Sequence, residues 1–189
     1  VSIIDSNEVR KGMKILYEGN PCIVTEAQFV KPGKGTAFTR AKLRDMITGR
    51  SIDNTWRSGE RVETCSLEER PMEFLYQAGD EWHFMDQTNY EQIHLDNKGV
   101  GESAKWLIEN LPVKMLFFDG RPISLDLPNF VELQIVECEP AVKGDTKTNA
   151  MKQAQMSTGA TVMVPMFIDN GEWLRIDTRT GEYVERVKR

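Results

Sequence analysis

Lys34 lies in the run "FVKPGKGTAF", residues 29 to 38, where two lysines, a proline and two glycines leave no side chain able to cover its ammonium group. A lysine becomes a nucleophile when desolvation or a neighbouring cation lowers its pKa. Nothing in this run desolvates Lys34, so water should reach it and catalysis by this chain alone is not expected. Gly33-Lys34-Gly35-Thr36 also fails as a phosphate-binding loop. That pattern needs a glycine five residues before its Gly-Lys pair and Ser or Thr directly after, and Gln28 and Gly35 stand there instead. A different chemistry remains. A hairpin stiff enough to hold Lys34 beyond its own barrel would insert it into a crevice of a large partner dense in negative charge, meaning RNA. Pro32 would restrict the loop, and Gly33 and Gly35 would let backbone approach backbone. An ordinary exposed turn, with Lys34 aiding solubility alone, is the plainer reading of the same residue types. Both stay open at this point.

Other reactive side chains are sparse. His83 and His94 lie eleven residues apart in or beside strand-like runs, with no Ser-His-Asp or Cys-His arrangement near them, and read as half-buried strand residues. Cys22, Cys65 and Cys138 are odd in number, widely spaced and without a C-x-x-C pair. They read as buried or semi-buried thiols, not as a disulfide framework or a zinc site. No metal and no dissociable cofactor are expected.

Charge is unevenly spread over the 189 residues, whose net charge is −5. Residues 1–63 carry 11 Lys/Arg against 8 Asp/Glu, 64–128 carry 5 against 12, and 129–189 carry 8 against 9. A basic first third beside an acidic middle suggests separate domains with separate surfaces. No apolar run is long enough to span a bilayer, and "VSIIDSNEVRKG" lacks the apolar core of a signal peptide. A soluble, cytoplasmic protein is the expectation.

The elements that must position Lys34 are strands. "MKILYEGNPCIV" reads as strand, turn, strand, and "CIVTEAQFV" and "AFTRAKLRDM" flank the glycine-proline loop as a hairpin. Phe38, Arg40, Lys42 and Arg44 share one period-2 face, a row of positive charge, while Ala37, Ala41, Leu43 and Asp45 do not make a clean opposite one. "SIDNTWRSGERVE" adds further short strands, and the whole suggests an SH3-like barrel over 1–63. Residues 64–128 hold a hairpin "MEFLYQAGDEWHFMD", a helix "ESAKWLIENL" with Ala104, Leu107, Ile108 and Leu111 at i, i+3, i+4, i+7, and a hairpin turned by Asp119-Gly120. Three strands, a helix and two strands is the order of an OB-fold. In 129–189, "NFVELQIVECEP" is a strand, "VKGDTKTNAMKQAQ" a polar connection, and "GATVMVPMFI", "EWLRIDT" and "EYVERV" three more strands. This suggests a second OB-like barrel without the helix. The fold class is all-β: three small barrels in series with one short helix in the middle domain.

"KPGKG" on the hairpin of a first barrel followed by two OB-like barrels resembles bacterial elongation factor P. In "KQAQMSTGATVMVPMFIDNG", residues 152 to 171, Lys152, Ala154, Gly159, Val162, Val164, Pro165, Ile168 and Gly171 occupy that family's defining places. "NFVELQIVECEPAVKGDT" and "DTRTGEYVERV" are also characteristic, and the resemblance spans the chain.

The resemblance implies a non-enzymatic translation factor shaped like a tRNA, its first domain SH3-like (KOW-like). It would bind both ribosomal subunits beside the peptidyl-tRNA, prolyl-tRNA above all, and relieve stalling at consecutive prolines. By resemblance Lys34 is the modified residue, and Lys31, Pro32, Gly33, Lys34 and Gly35 approach the CCA end. Gly144, Asp145 and Thr146 would face the exit-site codon, and Tyr183 and Arg186 the small subunit. A lysine-modifying enzyme is an implied partner, with β-lysylation the implied adduct. A monomer with no membrane attachment is expected. The alternative is a generic RNA-binding module, since SH3-like and OB barrels serve many proteins.

Overall fold

The computed structural model describes residues 2–140 and 150–189. By contact the chain falls into two compact units, Val1–Arg70 with Met115–Ser124, and Pro71–Lys114 with Leu125–Arg189.

The first barrel is built from β1 (Ile3–Asp5), β2 (Lys14–Tyr17), β3 (Asn20–Val30), β4 (Phe38–Asp45), β5 (Ser51–Arg57) and β6 (Arg61–Glu63). β2, β3, β4 and β5 form one antiparallel sheet in that order, and β1 pairs with β6. A bridge from Ile15 to Thr64 and the bond from Cys65 N–H to the Lys14 carbonyl tie the chain after β6 to β2. Between them the two sheets enclose Val9, Ile15, Cys22, Val24, Ala41, Leu43 and Val62, with Ile4, Ile52 and Trp56 packed alongside.

β4 has a cleaner inner face than its sequence suggests. Thr39, Ala41, Leu43 and Asp45 are all buried, and Arg40, Lys42 and Arg44 are exposed. Asp45 belongs inside because it caps a turn. Its carboxylate accepts bonds from the N–H groups of Ile47 (2.8 Å) and Thr48 (2.9 Å) and from the Asn20 side-chain amide (2.9 Å). Burial works to raise its pKa, but these donors outweigh it and hold the carboxyl below the usual range.

The middle barrel comprises β7 (Glu68–Ala78), β8 (Glu81–Asp86), β9 (Gln92–Asp96), a one-turn helix α1 (Asn97–Val100), a 3₁₀ helix (Gly101–Trp106), β10 (Pro112–Phe118) and β11 (Arg121–Asp126). The sheet runs β11-β10-β7-β8-β9. The helical segment differs from the expectation over 102–111. It starts earlier, where the Asp96 carboxylate caps the Gly99 N–H at 2.8 Å. It ends at Leu107, whose backbone is extended (φ −78°, ψ 118°). Asn110 then turns left-handed (φ 65°), and Pro112 disfavours helix in the residue before it. Leu107 and Leu111 are buried from non-helical backbone, so their i, i+4 spacing has another origin.

The last barrel holds β12 (Phe130–Cys138), β13 (Met151–Met156), β14 (Thr161–Pro165), β15 (Trp173–Asp177) and β16 (Glu182–Val187), in the order β14-β13-β12-β15-β16. Numbered within its own sheet, each of these two five-stranded sheets has the order 3-2-1-4-5, the same topology without an obvious sequence repeat. The end of the expected polar connection is itself a strand. In "MKQAQM" Lys152, Ala154 and Met156 face inward and Met151, Gln153 and Gln155 outward, a period-2 pattern hidden by the inward lysine.

The Asp45 cap gives a measurable consequence. Asp45→Ala should cost about 1–3 kcal/mol in denaturant unfolding, because the turn's N–H donors lose their acceptor. For Asp45→Asn, which keeps an acceptor but not the charge, the deficit should be full above pH ~4 and narrow as acid takes the native carboxyl through its depressed pKa. A deficit that stayed constant down to pH ~2 would contradict the assigned role.

Candidate functional site

β3 and β4 pair antiparallel from Cys22↔Asp45 out to Val30↔Phe38, with one irregularity between Val24 and Glu26. The two strands hold one another through this ladder, and β4 is held again on its far side by β5 as far as Phe38↔Arg57. Beyond Val30 the chain leaves the ladder, and it rejoins at Phe38. The intervening loop is Lys31 to Ala37, with the Ala37 carbonyl anchored by the Ser58 N–H at 2.8 Å.

Lys31, Gly33, Lys34, Gly35 and Thr36 are exposed, and Pro32 is half-buried. The two glycines differ in physical role. Gly35 has φ 101°, a backbone region that side-chain-bearing residues avoid. Gly33 is not left-handed, and a Cβ built on it would meet nothing within 4 Å. The fold therefore demands glycine at 35 and not at 33.

The outward side chains of β4 carry the basic row. Lys42 lies opposite Glu26 and Asp53 and pairs with the Glu26 carboxylate at 3.2 Å, an exposed ion pair of small energetic weight. Arg40 faces the uncharged Gln28 and Thr55, its guanidinium 5.9 Å from the Phe38 ring centroid. Lys11, Glu26, Gln28, Arg40, Lys42 and Asp53 line a shallow depression of about 350 Å³. The row is thus less positive than β4 alone suggests, and Lys11, from the loop before β2, joins it. Lys11 has no period-2 partner in the sequence and is found only through the fold.

The two histidines meet although they are far apart in sequence. His83 and His94 pair across β8 and β9 with ring centroids 5.7 Å apart, and Glu81 lies 3.2 Å from His83 Nε2 and 3.9 Å from His94 Nε2. Tyr76 stacks on His83 at 4.7 Å. His83 is half-buried as expected; His94 is exposed, because its strand lies at the edge of the sheet. Among the described residues no group of three His, Cys, Asp or Glu is arranged to hold a metal ion. All three cysteines are free thiols, two buried and one half-buried, and burial pushes the Cys22 thiol up to about 11. No helix among the described residues is long and apolar enough to cross a membrane.

Tyr183 and Arg186 lie on β16. Tyr183 is half-buried opposite Ile176. Arg186 is exposed, bonds the Glu172 carboxylate at 3.0 Å and lies 5.3 Å over the Phe167 ring. The Asp169 N–H and then Arg186 hold the Glu172 carboxyl below its usual range against the effect of burial. Gly144, Asp145 and Thr146 fall outside the described residues.

The fold agrees with that of related chains. Residues 5–62 match the family model described as the elongation factor P KOW-like domain, 67–125 the elongation factor P OB domain, and 131–186 the elongation factor P C-terminal domain. An elongation factor P from Syntrophomonas wolfei subsp. wolfei is 49% identical over 185 residues, covering 98% of this chain and all of that one. One from Desulfatibacillum aliphaticivorans is 44% identical over 187 residues, covering 99% of this chain and all of its own length. Among solved structures, the eukaryotic translation initiation factor 5A from Methanococcus jannaschii superposes with a TM-score of 0.54 at 20% identity. That match covers 67% of this chain and 94% of the other, a likeness of fold. With all three domain models in sequence order and relatives of this identity along its length, the chain belongs to the elongation factor P family of translation elongation factors.

Proposed function

We propose that this protein binds the ribosome beside the peptidyl-tRNA and stimulates peptide-bond formation where consecutive prolines stall it. It acts by positioning, through Lys34, and catalyses no reaction of its own. The observation that carries the reading is the tip itself. An exposed lysine stands on a seven-residue loop at the end of a ladder-fixed hairpin, next to a glycine, Gly33, that the fold does not require. An open Cβ position beside an exposed ammonium group suits the close approach of a large partner.

Proline is a poor participant in peptide transfer because its ring limits the attack geometry. A cation laid along the CCA backbone would hold the peptidyl-tRNA in a reactive pose and reduce the entropic part of the barrier without making or breaking a bond. Charge-assisted bonds to phosphate would supply the hold. A β-lysyl adduct on Lys34, added by a dedicated enzyme, would extend the arm and add donors. Lys31, Pro32, Gly33 and Gly35 would line the approach, and Arg40 and Lys11 would meet the acceptor arm. Gly144, Asp145 and Thr146 would read the exit-site codon, and Tyr183 and Arg186 would meet the small subunit. Three domains, 1–63, 64–128 and 129–189, would divide these contacts. The protein would act as a cytoplasmic monomer.

Lys34→Ala should bring Pro–Pro bond formation on purified ribosomes down to near the rate without the factor. Its melting temperature should stay within error of wild type, because an exposed tip has no packing to lose. Lys34→Arg keeps the charge but not the site of an adduct and should retain only a small part of the acceleration. Full activity of either variant would remove Lys34 from the mechanism. On the codon side, Asp145→Ala should lower the acceleration several-fold while leaving the mass of the Lys34 peptide unchanged; equal activity would remove that contact. A generic RNA-binding module would instead bind free RNA with no dependence on Lys34.

A further inference from the structure

Three hairpin turns, one per barrel, follow one plan. An aspartate opens the turn, its carboxylate accepts a backbone N–H from two residues ahead, and the residue four ahead donates its N–H to the aspartate carbonyl. Asp45 does this with Ile47 (2.8 Å) and Gly49 (2.9 Å), Asp86 with Thr88 (2.7 Å) and Tyr90 (2.9 Å), and Asp177 with Arg179 (2.9 Å) and Gly181 (2.7 Å). The residue four ahead is left-handed every time: Gly49 at φ 73°, Gly181 at 75° and Tyr90 at 61°.

Glycine takes this conformation freely, whereas a bulky side chain rarely does. The other non-glycine residues with positive φ among those described have local reasons. Glu18 and Asp119 open two-residue turns completed by Gly19 and Gly120, and Asn110 belongs to the residue type that tolerates the region best. Tyr90 has no such reason. It is 71% exposed, and among the described residues its side chain makes no hydrogen bond, ion pair or ring contact. A strained aromatic left mostly to solvent, with no polar or ring partner, points to a contact outside the chain.

We propose that Tyr90 docks against a basic protein surface on the ribosome, with its ring under an arginine or lysine side chain and Glu91 as the anion beside it. The proposal rests on the ribosome-bound reading above. Charge selects protein over RNA. The loop "QTNYEQ", residues 87 to 92, holds no Lys or Arg, and residues 64–128 carry 12 acidic side chains against 5 basic ones. A base could stack on the ring, but its phosphates would meet no cation here. An aromatic face next to an exposed carboxylate suits a cation. The carboxylate is already oriented, since the Asn89 side chain donates to Glu91 Oε2 at 3.0 Å.

The test is Tyr90→Gly, compared with wild type by equilibrium binding to purified ribosomes and by thermal melting. Affinity should fall about fivefold, the scale of one cation–π contact, while the melting temperature holds or rises because glycine adopts this backbone at no strain. Unchanged affinity would overturn the proposal, and so would a drop in melting temperature, which would make the ring structural. A benzoylphenylalanine at position 90 should photo-crosslink to a ribosomal protein; an adduct with rRNA alone would overturn the assignment. Wild-type protein that does not bind ribosomes would defeat the proposed function and this docking together. Wild type that binds and Tyr90→Gly that binds equally would defeat the docking alone.

Discussion

The register of β3 against β4 is the constraint on which the first barrel depends. With Cys22 opposite Asp45 and Val30 opposite Phe38, β4 turns Thr39, Ala41, Leu43 and Asp45 to the core and Arg40, Lys42 and Arg44 to solvent. A slip of one residue would exchange the two sets. Three cations would then enter an interior that offers them no partners, and Leu43 would lose its burial. At the inner end the register is pinned by the Asn20 side-chain amide, which donates to the Asp45 carboxylate at 2.9 Å, and by the Met46 N–H, which donates to the Pro21 carbonyl at 2.9 Å. It is therefore the polar residue at the end of the strand that helps decide where the far end stops, and so where Lys34 is held. Tip and turn lie at opposite ends of one paired ladder.

The third barrel separates recognition from chemistry. Of the residues that mark "KQAQMSTGATVMVPMFIDNG", Ala154, Val162, Val164 and Ile168 are buried, and Gly159 and Gly171 take left-handed turns at φ 84° and 81°. Lys152 is buried too, near enough to Glu172 to lower that carboxyl's pKa. The run that identifies the family is a record of how a barrel packs. Its outward surface is a different set, in which Glu132 receives Arg175 and Arg189 and is held below the usual carboxylate range by them. The exposed β16 arginine, Arg186, is likewise already engaged with Glu172 and Phe167. Such side chains are already oriented, so holding them in place would cost little further entropy.

Much of this organisation was legible in the sequence, and the failures are physical. Two-residue turns announce themselves: Glu18-Gly19 and Asp119-Gly120 lie where strand runs meet a left-handed pair. Strands with one apolar face were equally plain. Legibility stopped where an inward residue was polar. Asp45 masked the inner face of β4, and Lys152 made β13 look like a connection, although each is buried. The helix was misplaced for a different reason. Leu107 and Leu111 are buried at helical spacing by extended and turn backbone, a coincidence of period that the Asp96 cap and Pro112 could have corrected. His83 and His94 show the limit of spacing arguments, since cross-strand pairing joins residues eleven apart as readily as neighbours. For the tip, residue types alone left two readings open. The proposed one leans on the family, together with the finding that Gly33 has no structural reason to be glycine.

The most direct measurement is the rate of Pro–Pro bond formation on purified ribosomes, with and without this protein taken from its native cells, against a template lacking consecutive prolines. Strong acceleration confined to the proline template is the predicted result. Equal rates with and without the protein, from a preparation whose Lys34 peptide is shown by mass to carry its adduct, would contradict the account.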